Sequence, residues 1–109
     1  VTGANGFVGR ALCDALTAAN RAFRASVRAP DAGFPGAFAV GDIGPATDWS
    51  AALEGVRCVV HLVSRAHAPR ETAPDPLAEY RRINVEGSLR LARQAARAGA
   101  RRLVFMSSI

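Results

Sequence analysis

Apolar positions along the chain follow two alternating rhythms. Val8, Ala11, Leu12, Ala15, Leu16 and Ala19 recur at steps of three and four, which places one apolar stripe on a helix over about residues 7–19. Residues 23–27 then read as a short strand, and Phe38-Ala39-Val40 as another, ended by Gly41-Asp42. Asp48 is a suitable N-cap for a short helix through Leu53, with Gly55 as its stop. Residues 57–63 form the clearest strand pattern of all. Residues 64–74 have no apolar period and are rich in Pro, Arg and His, so they read as a long surface loop. Asp75-Pro76 opens the longest helix, with an acceptor at the N-cap and a proline whose missing N–H costs nothing there. Leu77, Tyr80, Asn84, Ser88, Leu91, Ala95 and Ala98 share one face of it, Gly99 ends it, and residues 102–106 supply the last strand.

Strands that alternate with helices need crossover connections, so the expected class is α/β: a Rossmann-type doubly wound parallel sheet with helices on both faces. With 109 residues the chain makes one domain and not two. Both ends are expected to be cut. A βαβ unit that opens on a glycine loop needs a buried strand of about five residues before it, and Val1 and Thr2 alone precede Gly3. The last strand stops at Ser107-Ser108-Ile109, where a parallel sheet presents its functional edge.

Charge changes little in this picture. All 14 basic residues are arginine, giving a formal charge of +5 without one lysine. Residues 1–55 carry four Arg against five acids, and residues 56–109 ten against four. Arg81, Arg82, Arg90, Arg93 and Arg97 fall at helical spacing among Glu79, Glu86 and alanines, the pattern of a solvated helix face. The aromatics are too scattered to stack bases, so no nucleic-acid partner is expected. Cys13 and Cys58 lie in no C-x-x-C or zinc spacing and read as buried core thiols, with no metal site. Apolar runs fall far short of the ~20 residues of a membrane span, and nothing resembles a signal peptide. A cytoplasmic protein without a membrane partner is the expectation.

The glycine-rich segment Thr2-Gly3-Ala4-Asn5-Gly6-Phe7-Val8-Gly9 stands between a strand remnant and a helix. In that context Gly3 allows the turn, Gly6 allows close approach to a pyrophosphate, and Gly9 allows the helix to pack near the strand. The first helical amides, at Phe7 and Val8, then face the phosphate. This loop resembles the T-G-x-x-G-x-x-G signature of the extended short-chain dehydrogenase/reductases, the NAD-dependent epimerase/dehydratase family. The resemblance continues along the chain. Gly41-Asp42-Ile43 is similar to the family's adenine-contacting pair. The segment Val59-Val60-His61-Leu62-Val63-Ser64 resembles its fourth-strand V-x-H-x-A-A, with Ser64 departing from the usual small apolar residue beside the nicotinamide. Asn84-Val85-Glu86-Gly87-Ser88 resembles its helical N-V-x-G-T, and residues 103–108 its strand ending in the site serines.

The resemblance implies a nicotinamide cofactor held by Gly3, Gly6, Phe7, Val8, Asp42, Ile43, Leu62, Val63, Ser64 and Asn84. It also implies a catalytic serine at Ser108, ahead of Ser107. The second strand ends in Ala25-Ser26-Val27-Arg28-Ala29-Pro30, with no acid before Asp31. An acid there would hold the ribose 2′-OH of NAD, whereas an arginine suits a 2′-phosphate. Arg28 therefore favours NADP, with NAD the alternative.

Hydride chemistry in this family uses a tyrosine base with a lysine four residues on. Here Tyr80 is followed by Asn84, so no Tyr-x-x-x-Lys exists among the 109 residues, and residues 1–109 are expected to bind a cofactor and turn nothing over alone. Tyr80 reads as a core-facing helix residue, and His61 as a hydrogen-bonded core imidazole. His67, Arg65 and Arg70 border the site and could meet a substrate diphosphate.

The resemblance is nearest to nucleotide-sugar 4-epimerases and 4-dehydrogenases of surface-polysaccharide synthesis. It implies the cofactor-binding part of an enzyme acting by hydride transfer on a nucleotide sugar, at C4 of a UDP-sugar, and a homodimer in the full-length protein. Two alternatives stay open: an NADPH-dependent carbonyl reductase of the dihydroflavonol-reductase type, and a non-catalytic NADP-binding regulator.

Overall fold

The computed structural model describes residues 1–31, 33–66 and 73–107. Four named strands, β1 (Ser26–Val27), β2 (Phe38–Ala39), β3 (Cys58–His61) and β4 (Arg102–Phe105), pair as β1 with β2 and β3 with β4, all parallel. Thr2 joins the two halves, bridging Ser26 on one side and His61 on the other. Its N–H donates to the Val60 carbonyl at 2.9 Å, while Ser26 N–H donates to the Val1 carbonyl at 2.8 Å. The spatial order is thus β2, β1, the Thr2 segment, β3, β4. The chain leaves the centre in one direction and later returns to go the other way, which creates the switch point of a doubly wound sheet.

Helices cover both faces. On one face α1 (Phe7–Ala18) buries Cys13 and Gly9, where Cys13 joins Ala4 and Val27 in a small core. On the other, Trp49, Ala52, Leu53, Val59, Leu91 and Ala95 form the main core, drawn from the segment around the short helix α2 (Ser50–Leu53), from β3 and from the long C-terminal helix. Gln94 ties that helix to the start of α2. Its Oε1 accepts the Trp49 N–H at 2.8 Å and its Nε2 donates to the Thr47 carbonyl at 2.8 Å.

Elements fall where the pattern places them, with shorter strands. The Asp75 carboxylate accepts the Ala78 N–H at 3.0 Å, and Pro76 takes the first helical position. Asp48 accepts from the Ser50 N–H at 2.9 Å, but the helix begins at Ser50, so Trp49 occupies the cap position.

The long helix is not uniform, contrary to the single face read from its sequence. It runs as α3 (Pro76–Tyr80), a π-helical turn (Arg81–Gly87) and α4 (Ser88–Arg97). The wider turn changes the angular phase, so a stripe drawn at one period cannot stay on one face throughout. Leu91 and Ala95 are buried as expected, whereas Leu77 is exposed. Arg82 and Arg90 also leave the solvated face assigned to them. Arg82 reaches the Ile43 carbonyl and Arg90 Nε donates to the Thr47 carbonyl. Cys58 corrects a second expectation: it is exposed, because it opens β3 just after the Gly55 turn, while Cys13 is buried.

Candidate functional site

The glycine loop lies at the carboxyl-terminal edge of the sheet, beside the switch point. Gly3 has φ +64°, the left-handed conformation that a side chain disfavours. A Cβ on Gly9 would stand 2.1 Å from the Gly3 carbonyl oxygen and 2.7 Å from that of Ala4. Backbone leaves no room for it, so Gly9 is fixed by the packing of α1 against the loop. Gly6 at the N-cap offers no side chain to the first amides of α1, and the first turn of the helix holds no acid. The positive end of the helix is therefore open to an anion. Phe7 is almost fully exposed there and Val8 partly so.

A cleft of about 510 Å³ opens along this edge. Gly3 and Gly6, then Arg28, Asp42 and Ile43, then Leu62, Val63 and Ser64 line it, from four successive strand ends. The structure thus brings together most of the residues selected from sequence. Asn84 is set one layer behind. Its Oδ1 accepts the Arg65 N–H at 2.7 Å, and its Nδ2 donates to the Arg65 carbonyl at 2.9 Å. A mid-helix asparagine needs such a partner, and here it fixes the backbone that follows β3. Ser108, His67 and Arg70 lie outside the described residues.

Tyr80 does not face the core as expected. Its hydroxyl donates to the Ala66 carbonyl at 3.2 Å, and the Arg65 guanidinium lies over its ring, 5.4 Å from the centroid. Both contacts brace the same post-β3 segment. His61 is the buried imidazole anticipated, 1% exposed, with Nδ1 2.7 Å from Thr2 Oγ1 and Nε2 3.1 Å from Ser88 Oγ. Thr2 Oγ1 also accepts the Leu62 N–H at 3.2 Å. A neutral imidazole satisfies the set, since each hydroxyl can either donate or accept and the two ring nitrogens take opposite roles. Burial holds the imidazole pKa below its usual value.

Among the residues not selected from sequence, Asn5, Glu79 and Arg82 also line the cleft, and Asp31 holds Asn5 in place. Asn5 Nδ2 donates to Asp31 Oδ2 at 2.9 Å, and Asp31 Oδ1 accepts the Gly33 N–H at 2.8 Å. The Asn5 hydrogen bond, then that of Gly33, pull the Asp31 carboxyl below its ordinary range. Asp31 is thus committed to the glycine loop. On the far wall Arg82 grips Glu79 with two hydrogen bonds, Nε to Oε2 at 2.8 Å and Nη2 to Oε1 at 2.7 Å. Their i,i+3 spacing was a visible signal; the Asn5–Asp31 contact, 26 residues apart, had none.

Arg28 and Asp42 meet at the mouth of the cleft. Nε and Nη2 of Arg28 both reach Asp42 Oδ1, with the two side chains 78% and 65% exposed. Among the described residues no group of three His, Cys, Asp or Glu could hold a metal ion, and no helix is long and apolar enough to cross a membrane.

The NAD dependent epimerase/dehydratase family matches residues 1–109. A UDP-glucose 4-epimerase from Vibrio cholerae is 38% identical over 114 residues, covering 100% of this chain and 34% of its own length. A crystal structure of a short-chain dehydrogenase/reductase superfamily protein from Agrobacterium tumefaciens with bound NAD superposes with a TM-score of 0.77 at 38% identity. It covers 98% of this chain and 31% of that one, so the chain spans about a third of the length of both relatives.

Proposed function

The chain belongs to the NAD-dependent epimerase/dehydratase family, and from that membership we propose that it is the cofactor-binding part of an enzyme that transfers hydride at a carbon of a nucleotide sugar, C4 of a UDP-sugar. One observation carries the reading: an uncapped helix N-terminus and a glycine loop open onto a cleft at the switch point of a parallel sheet. The residues present fit a nicotinamide dinucleotide. Gly3, Gly6 and the first amides of α1, at Phe7 and Val8, would take the pyrophosphate, with Asp42 and Ile43 at the adenine. Leu62, Val63 and Ser64 would border the nicotinamide, and Asn84 would hold that border in place through Arg65. The bound dinucleotide supplies a hydride acceptor and donor. Ser108 would hold the reacting oxygen of the substrate. The complete protein would work as a cytoplasmic homodimer.

Arg28 stands at the end of the second strand of the fold, where a guanidinium fork suits a 2′-phosphate. NADP is proposed ahead of NAD on that ground, with NAD, present in the Agrobacterium structure, as the alternative. The same arginine supports a second reading, an NADPH-dependent carbonyl reductase.

Incubating the complete protein with UDP-glucose and either dinucleotide, and following the sugar by NMR, tests the proposal. A C4 epimer or a 4-keto sugar is expected. Dinucleotide binding with no change in any UDP-sugar, together with NADPH-driven reduction of a plain ketone, would replace it with the reductase.

A further inference from the structure

We propose that Asp42 sets the cofactor preference of this cleft by holding Arg28. The inference rests on the dinucleotide-binding reading above. Arg28 directly follows β1 and Asp42 stands three residues past β2, so the pair spans two neighbouring strand ends at the mouth of the cleft. Nε and Nη2 of Arg28 converge on one carboxylate oxygen, Asp42 Oδ1. That edge is one of the two on which a guanidinium takes a phosphate as a fork. A 2′-phosphate that takes the Nε/Nη2 edge must displace the carboxylate, and one that takes the Nη1/Nη2 end shares Nη2 with it and sits near its negative charge. An uncharged 2′-OH needs neither. Asp42 thus subtracts from the NADP preference that Arg28 confers.

Exposure keeps the competition open. With side chains 78% and 65% exposed, the pair is weak and screened by salt, so a phosphate can break it. Asp42 also lies within the field of Arg82 across the cleft. Its main-chain carbonyl accepts Thr47 Oγ1 at 2.9 Å independently of the carboxylate, so the turn survives a change of side chain. Asp42 is a positioning residue in this respect, acting through Arg28.

Calorimetric titration of NADP⁺ and NAD⁺ into the wild type, Asp42→Asn, Arg28→Ala and the double variant, at low and high salt, decides the matter. Asp42→Asn should raise the NADP/NAD affinity ratio by about tenfold at low salt, the scale of one charge-assisted contact, and by less at high salt. Asp42→Ser, which also removes the charge, should move the ratio the same way, and the double variant should match Arg28→Ala. A ratio that shifts less than twofold, or two affinities that fall together because Asp42 serves only the shared adenine, would overturn the inference while leaving the cofactor reading intact. Failure of the wild type to bind either dinucleotide would sink both.

Discussion

Asn84 closes a two-way hydrogen bond on the backbone of Arg65, accepting its N–H and donating to its carbonyl. A side-chain amide can do both at once, which an acid or an alanine cannot. Asn84→Ala should cost about 1–3 kcal/mol, the scale of losing part-buried hydrogen bonds, read from urea denaturation. It should also weaken dinucleotide binding through the loosened 62–65 segment. Asn84→Asp keeps the acceptor but sets a carboxylate against the Arg65 carbonyl, so it should not restore the wild-type value.

Gly9→Ala should be among the most damaging single changes. The added methyl meets carbonyl oxygens of Gly3 and Ala4 well inside contact distance, and relief requires α1 to move off the loop. A loss of about 3 kcal/mol or more is expected from such overpacking against backbone. The thermal midpoint measures it, and a midpoint within a degree of wild type would show that the helix is not seated as described.

The Thr2–His61–Ser88 network makes stability depend on pH in a defined direction. Burial depresses the His61 pKa in the fold, so below the usual imidazole value of about 6.5 the unfolded chain takes up a proton that the folded chain resists. The contribution is fully present above that value and is lost as pH falls toward the folded pKa. Urea midpoints should drop from pH 7 to pH 5, and His61→Gln should flatten that slope.

The two thiols should separate cleanly under a thiol reagent. Cys58 is exposed, whereas Cys13 is buried on the inner side of α1 and burial pushes its thiol pKa up. One fast and one slow modification are expected in native protein, with both fast in denaturant. Cys58→Ser should remove the fast phase.

The order of elements was legible because helix and strand periods differ and because glycine, proline and aspartate mark their ends. Asp75-Pro76 and the Gly99 stop stand where the pattern sets them. The phase of the long helix was not legible, since a π-helical turn breaks a 3.6-residue period without a residue type that announces it. The same holds for Cys58, whose apolar neighbours suggest burial although it opens a strand. At the site, Gly3 stood out by the local glycine spacing, and Asp42 and Leu62 by their resemblance to the family's motifs. The partnerships did not: Asp31 on Asn5, Arg65 on Asn84 and Arg28 on Asp42 are contacts between distant segments, created only when strand ends align along one edge.

Trp49 belongs at once to the main core and to the wall of the cleft, and it is the one tryptophan of the chain. Its indole is 1% exposed and its backbone is pinned by Gln94. The molecule therefore carries its own optical gauge. Indole emission overlaps the absorption of a reduced nicotinamide, so a ligand seated in the cleft should quench it by energy transfer in the reduced form far more than in the oxidised one, with no label added.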